Sequence, residues 1–211
     1  MDTKLQRWVQ RKGWDRAAPY YERYWGEQLR PAIDHVLATA DLRPGEHVLD
    51  VAAGTGAITL AAAAAVGPTG RVLATDLSPK MVDDLGGRAA ARRCSNIDVA
   101  CCGAEDLAPD EPFDVAVCSL GLMYVTSPSA VASNLYRSLR PGGRTVVSVW
   151  GDRRRCGWST IFPIVDARVS SDVCPMFFAL GAPGALGGLL ERAGFVDVAE
   201  TRLAVDLCYG S

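Results

Sequence analysis

The chain has 211 residues, of which 49% are hydrophobic, and its formal net charge is −2. This length is enough for a domain with a substantial core, and the composition excludes a disordered chain. The nearly balanced charge gives no electrostatic reason to expect binding to nucleic acid or to an anionic membrane.

The N-terminal segment, residues 1–43, is predicted to be a helical cap that is rich in aromatic side chains. Pro19 is expected to break the first helix, because proline removes an amide donor and clashes with the preceding turn. A second helix is expected from about Tyr21 to Ala40, and Pro31 is expected to cause a kink or a new start within it.

Residues 44–150 alternate between short apolar strands and helices. Strands of this kind are typical of a parallel sheet that is covered on both faces, so the sequence predicts an α/β fold. Ser78 is a suitable N-cap, and Pro79 suits the first position of the helix that follows it. The predicted strands are residues 47–51, 71–75, 97–101, 113–119 and 144–150, and the predicted helices are residues 57–66, 79–92 and 128–139.

The regular alternation stops after Gly151. Residues 151–181, called the lid segment below, are irregular and aromatic, and we expect them to lie over the carboxyl edge of the sheet, where open α/β folds bind ligands. Residues 182–211 are expected to contain a helix over 183–193 and a long strand over 196–207.

The turn after the first predicted strand indicates a nucleotide site. Asp50 is followed by Gly54 and Gly56, and a strand that enters a helix through Gly-x-Gly presents backbone N–H groups at the helix N-terminus. Asp76 ends the next strand about 20 residues further on, where ribose-binding carboxylates lie in such folds. These features predict an adenosine-type cofactor. Thr59 stands where a dinucleotide-binding turn has its third glycine.

Five segments in this order resemble the motifs of class I S-adenosyl-L-methionine (SAM)-dependent methyltransferases, and the match is similar to the UbiE-like group. They are residues 49–56, 74–81, 103–107, 113–124 and 139–144. The resemblance implies one domain with a Rossmann-like fold, a mostly parallel twisted sheet with helices on both faces. It also implies methyl transfer from SAM to a small molecule, with S-adenosyl-L-homocysteine (SAH) as the product.

The family's sheet has seven strands, with the last one antiparallel and inserted between the fifth and the sixth. Only one strand, over residues 196–207, is predicted after the fifth strand of this chain. Either the final antiparallel strand is absent or the predicted count is off by one. In the first case, the fifth strand has an unpaired edge, which favours dimerisation or strand exchange.

The resemblance also implies roles for individual residues. Asp50 is expected near the methionine amino group of the cofactor, Asp76 on both ribose hydroxyls, and Leu77 against the adenine. Gly103 stands where relatives often have an aspartate that binds the adenine amino group. The implied cofactor-binding residues are Tyr21, Asp50, Ala52, Gly54, Gly56, Asp76, Leu77, Met81, Ala104, Glu105 and Ser119, and the implied acceptor-binding residues are Trp25, Met123 and Tyr124.

No catalytic base and no metal site are predicted, because methyl transfer from a sulfonium depends mainly on alignment of the acceptor. Two other functions stay open. An NAD-binding oxidoreductase is opposed by Thr59 and by the lack of a Tyr-x-x-x-Lys pair, and a non-catalytic SAM-binding protein is favoured by Gly103.

The expected partner is a small-molecule acceptor, with no nucleic acid and no membrane span, and the expected state is a monomer or a homodimer. Residues 1–12 are polar and charged, unlike a signal peptide, and no apolar stretch reaches the length of a membrane span. Seven cysteines form no Cys-x-x-Cys pair, which favours a reduced, cytoplasmic protein.

Overall fold

The described strands form a parallel sheet with helices packed on both faces. The computed structural model describes residues 3–169 and 177–208. The strands of this part are β1 (His47–Val51), β2 (Arg71–Asp76), β3 (Ile97–Cys101), β4 (Phe113–Ser119) and β5 (Leu139–Ser148). The helices are α1 (Thr3–Tyr21), α2 (Arg30–Ala40), α3 (Ala57–Val66), α4 (Pro79–Ala91), α5 (Pro128–Arg137), α6 (Ile161–Val169) and α7 (Ala185–Ala193).

The order of the strands creates a crevice in the middle of the sheet. The order is β3-β2-β1-β4-β5, and all neighbouring strands are parallel. The chain first moves outward from β1 to β3 and then crosses to the other side of β1 to form β4. Ligands bind in open α/β sheets outside the carboxyl ends of the strands at such a reversal. The Rossmann-like fold predicted from the sequence is therefore confirmed.

The core lies on both sides of the two central strands. On β1, Val48 contributes to the cluster shared with α2 and α3, whereas Leu49 and Val51 contribute to the cluster shared with α5 and α7. On β4, Val115 and Val117 belong to the first cluster, and Ala116 and Cys118 to the second. Because successive side chains point to opposite faces, these strands must be apolar at nearly every position.

Several boundaries differ from the predicted ones. The helix predicted over 128–139 ends at Arg137, and β5 begins at Leu139 instead of Arg144. The extra residues of β5, which include the run Pro141-Gly142-Gly143, form a bulge opposite the stretch of β4 between Phe113 and Val115. Gly142 has a φ of +79° there, a conformation that glycine adopts without steric cost.

Pro19 does not break the first helix, contrary to the prediction. Helix α1 continues through Pro19 to Tyr21 and is followed by a π-helical turn, Glu22–Gly26. Contacts of α1 with α4, and the hydrogen bond from Ser78 Oγ to Asp15, outweigh the single lost hydrogen bond. Pro31 lies in the first turn of α2, so a new helix starts there as one of the two predicted alternatives. Among the described residues, no helix is long and apolar enough to cross a membrane.

The strand predicted over residues 196–207 is wrong, because residues 195–208 form no strand. Asp197 has a φ of +54°, which interrupts an extended backbone. The Glu200 carboxylate accepts hydrogen bonds from the backbone N–H groups of Gly184 (3.0 Å) and Gly187 (2.7 Å), at the N-terminus of α7. This capping contact competes with strand formation. A groove of about 1820 Å³ separates this segment from β5.

Candidate functional site

A smaller cavity lies at the carboxyl ends of β1, β2 and β4, underneath α1. We call it the central cavity, and its volume is about 90 Å³. It occupies the crevice that the reversal of strand order creates. Its lining comprises Arg7, Gln10, Trp14, Tyr21, Ala52, Gly54, Asp76, Leu77, Met81, Cys102, Gly103, Ala104, Glu105, Ser119, Leu120, Gly121, Tyr124 and Val125.

The loop between β1 and α3 forms one wall through its backbone. Ala52 and Gly54 have φ values of +57° and +56°, and Ala52 is strained there because left-handed conformations are costly for non-glycine residues. Gly56 has a φ of +87° and precedes the first residue of α3. A Cβ atom on Gly56 would overlap Cδ1 of the buried Leu85, so this position also requires glycine for close packing of the loop on α4.

Asp76 holds the glycine loop and the start of α4 at the same time. One carboxylate oxygen accepts from Gly54 N–H (2.9 Å) and the other from Ser78 N–H (2.8 Å). Ser78 Oγ in turn accepts from Met81 N–H, which confirms the predicted N-cap. Burial raises the pKa of Asp76, although the two backbone donors lower it. Each carboxylate oxygen retains capacity for a further hydrogen bond, because an ionised carboxylate offers about four acceptor positions.

Asp50 lies behind the loop, outside the cavity lining. Its carboxylate is buried and accepts a 2.6 Å hydrogen bond from Thr59 Oγ1. Burial raises the pKa of Asp50 to about 7, whereas the Thr59 hydroxyl lowers it, because the hydrogen bond favours the ionised form. Thr59 stands where dinucleotide-binding turns have a third glycine, and here it is the partner of this acid.

The N-terminal segment contacts the loops at the carboxyl edge of the sheet through polar residues near the cavity. Asp15 accepts from Ser78 Oγ (2.7 Å), next to Asp76. Glu22, in the π-helical turn, accepts from Thr55 Oγ1 (3.0 Å) and forms an ion pair with Arg88 (3.3 Å). The N-terminal cap therefore contacts both the glycine loop and α4.

Four cavity residues come from α1, and only Tyr21 among them was predicted. Arg7, Gln10, Trp14 and Tyr21 are separated by three, four and seven positions, which places them along one face of a helix. This spacing was a usable signal in the sequence. Residues at this spacing share one face of a helix, but the spacing does not tell whether that face packs on the core or on a ligand.

Aromatic side chains connect the cavity to the lid segment. Trp14 contacts Tyr21 and Tyr124 edge to face, with ring centroids 6.0 and 5.0 Å apart. Tyr124 contacts Phe177 of the lid segment at 5.3 Å. Phe177 belongs to a cluster with Trp158, Phe162 and Phe178. Burial, followed by the charges of Asp76 and Glu22, raises the pKa of Tyr21 to about 12, so its phenol is a hydrogen-bond donor at neutral pH.

Glu105 connects the loop after β3 to the loop that carries Tyr124. Its Oε1 accepts from both the backbone N–H (2.8 Å) and the hydroxyl (2.9 Å) of Thr126. Asn134 of α5 donates to the carbonyl oxygens of Ala104 (3.0 Å) and Glu105 (2.9 Å), which supports the same loop from below. Glu105 thus shapes the cavity wall in addition to lining it.

Most residues predicted for the site lie together in the lining, and four lie outside it. Met123 is buried in the core, and Asp50 and Gly56 lie behind the loop surface. Trp25 lies in the π-helical turn beyond the end of α1. The described residues contain no group of three or more His, Cys, Asp or Glu that could hold a metal ion. The predicted residues in the lining are Tyr21, Ala52, Gly54, Asp76, Leu77, Met81, Ala104, Glu105, Ser119 and Tyr124.

The chain is similar to known methyltransferases. A family model described as a methyltransferase domain matches residues 48–143. Nocamycin O-methyltransferase from Saccharothrix syringae is 33% identical over 212 residues, covering 92% of this chain and 74% of that protein. Demethylmenaquinone methyltransferase from Symbiobacterium thermophilum is 33% identical, covering 76% of this chain and 72% of that protein. The crystal structure of a SAM-dependent methyltransferase from Aquifex aeolicus shares the fold, with a TM-score of 0.61, 20% identity, and coverage of 77% of this chain and 78% of that chain.

Proposed function

The chain belongs to the class I SAM-dependent methyltransferases, and from this premise we propose that SAM binds in the central cavity and that the acceptor is a small, largely apolar ring compound. The predicted activity and the SAM cofactor are confirmed by this membership, whereas the residues that hold the cofactor are part of the proposal. One observation carries it. A buried carboxylate, Asp76, lines the cavity beside the backbone N–H groups of the glycine loop.

The residues of the cavity fit the chemical groups of SAM. Asp76 retains acceptor capacity for two ribose hydroxyls. Leu77 and Ala104 offer apolar surfaces for the adenine, and the end of β4 at Ser119 lies under the reacting end. We assign Asp50 to the neighbourhood of the cationic methionine end through its charge, since it lies behind the glycine loop.

The size of the central cavity indicates that its roof rearranges when the cofactor binds. The volume of the cavity is about 90 Å³, whereas sites for drug-sized ligands usually have volumes of about 300–1,000 Å³. The roof of the cavity consists of α1 side chains, including Trp14 and Tyr21. Cofactor entry therefore requires displacement of α1 or rotation of these rings, and the polar contacts of Asp15 and Glu22 favour the closed arrangement afterwards.

The aromatic residues support the proposed class of acceptor. The bound cofactor supplies a methyl group on a positively charged sulfonium, so the protein has mainly to align the nucleophile with it. Trp14, Tyr124 and Phe177 provide ring surfaces between the cavity and the lid segment. The described lining contains no histidine, which favours an acceptor that needs no imidazole base. Relatives named after nocamycin and demethylmenaquinone support a small organic acceptor.

The cytoplasmic location and the state as a monomer or a homodimer stay predictions. The open edge of β5 within the described sheet is the feature that supports association. The cysteine pattern is the feature that supports a reducing compartment.

The proposal is tested by the affinity of the protein for SAH. Asp76→Ala is expected to weaken SAH binding by more than tenfold, about 1.4 kcal/mol, in isothermal titration calorimetry. The control is Asp98→Ala, which removes an exposed carboxylate on the neighbouring strand β3, where Asp98 pairs with Arg71. Thermal unfolding of both variants shows that they are folded. Unchanged affinity of the folded Asp76→Ala variant would remove Asp76 from the site.

A further inference from the structure

The position of Gly103 leaves a space that a side chain from a distant part of the chain occupies. Gly103 follows β3 and precedes a short 3₁₀ turn, Ala104–Asp106. A Cβ atom on Gly103 would lie 2.5 Å from Nη2 of Arg7 and 3.4 Å from Cδ1 of Leu77. Any residue larger than glycine would therefore displace the guanidinium of Arg7. The resemblance to the family places the adenine end of the cofactor at this loop.

Arg7 is held in this space by Asp106. Nη1 of Arg7 donates to Oδ1 of Asp106 (3.2 Å), and Nη2 donates to Oδ2. This two-pronged pairing fixes both the position and the plane of the guanidinium. The side chain of Arg7 is about two-thirds covered, with 31% of its surface exposed, and it lines the central cavity next to Leu77, Gly103 and Ala104. A guanidinium has five N–H donors, so the pair with Asp106 leaves donor capacity for a ligand.

We propose that Arg7 is a cofactor-contacting residue whose guanidinium, held by Asp106 in the space left by Gly103, donates a hydrogen bond to a ring nitrogen of the adenine. The inference rests on the proposed binding of SAM in the central cavity. Of the ring nitrogens of the adenine, N1, N3 and N7 are acceptors, which suits a cationic donor. An aspartate at position 103 would instead accept from the exocyclic amino group. In this chain the direction of the hydrogen bond is therefore reversed: the protein donates, from Arg7 of α1, and the adenine accepts.

This assignment gives α1 a direct role in binding. Arg7 lies near the start of α1, and Trp14 and Tyr21 lie further along the same face. A contact between Arg7 and the base links occupancy of the adenine end to the closed position of the helix. The affinity for the cofactor then depends on a residue 96 positions before the loop that it completes.

The first test compares SAH affinities by isothermal titration calorimetry. Arg7→Met is expected to bind SAH at least tenfold more weakly, because it loses a charge-assisted hydrogen bond. Arg7→Lys is expected to bind several-fold more weakly, since an ammonium cannot reproduce the fork geometry. Arg16→Met, which alters an exposed arginine of α1, is the matched control. Unchanged affinity of Arg7→Met would overturn the inference.

The second test distinguishes a contact with the base from a purely structural role of Arg7. SAH analogues in which one ring nitrogen of the adenine is replaced by C–H are titrated into both proteins. One analogue is expected to lose several-fold affinity for the unmodified protein and to lose nothing further for Arg7→Met. Equal losses in both proteins for every analogue would overturn the inference.

If Asp76→Ala weakens binding and the Arg7 variants do not, only the Arg7 assignment fails. If neither weakens binding, the proposed cofactor site fails as well.

Discussion

Replacing Asp50 by asparagine is expected to stabilise the free protein, and more so at high pH. The carboxylate is buried, and its pKa is raised from 3.8 to about 7. An acid whose folded pKa lies above its unfolded pKa contributes stability at low pH, and this contribution is lost as the pH rises through the folded pKa. At pH 8 the acid therefore destabilises the fold by up to about 4 kcal/mol relative to a neutral isostere, because the buried carboxyl is ionised. At pH 5 it costs only about 2 kcal/mol, because the buried carboxyl is neutral but must take up a proton that the unfolded chain has lost.

Urea unfolding of the ligand-free protein at pH 5 and pH 8 measures this effect. Asp50→Asn is expected to raise the free energy of unfolding at both values, with a gain at pH 8 about 2 kcal/mol larger than at pH 5. Thr59→Val is expected to raise the pKa of Asp50 further, because it removes the hydroxyl donor. Asp98→Asn, at an exposed carboxylate, is the control. A gain that does not change with pH, or a loss of stability at pH 8, would refute the reasoning.

Two further substitutions test the walls of the central cavity through stability. Gly56→Ala is expected to lower the free energy of unfolding by about 2 kcal/mol or more, because the positive φ and the overlap with Leu85 both oppose a Cβ atom. The control is Gly87→Ala, in open space on α4, which is expected to be neutral or to raise the free energy of unfolding by about 0.5 kcal/mol. Equal unfolding midpoints for the two variants would contradict this prediction. Glu105→Ala is expected to lower the free energy of unfolding by about 2 kcal/mol, because the contacts with Thr126 are lost, and Glu105→Gln is expected to lower it clearly less. Equal urea midpoints for Glu105→Ala and the unmodified protein would contradict this prediction.

Sequence patterns predicted the elements whose signals are local. Ser78 caps α4 and Pro79 occupies its first turn, as expected, because both effects depend on adjacent residues. The five strands were found because residues buried on both faces give short apolar runs. The start of β5 was misplaced because Gly142 lies in a bulge inside the strand, whereas a Pro-Gly-Gly run is just as typical of a turn before a strand. The sequence signal of glycine is the same in both cases.

The failure at residues 196–207 has a different cause. Alternating apolar residues indicate a strand only where a neighbouring strand is available to pair with, and the pattern itself carries no information on that neighbour. In the structure, Glu200 caps α7 and Thr201 contacts His35 of α2 (3.1 Å). The contact between His35 and Thr201 joins residues that are 166 positions apart, so no local pattern could have predicted it.

The proposed cofactor end and the proposed acceptor end of the site differ in the same way. Asp76 and the glycine loop lie at the carboxyl ends of neighbouring strands, so their proximity follows from the order of the strands. The acceptor end depends on Tyr124, which contacts Trp14 of α1 on one side and Phe177 of the lid segment on the other. An aromatic residue in any of these segments is equally suited to core packing, and only their meeting in space makes a pocket. If the acceptor binds there, as proposed, the shape of its site is set by how α1 and Phe177 approach each other, which also explains why its residues were the hardest to assign from the sequence.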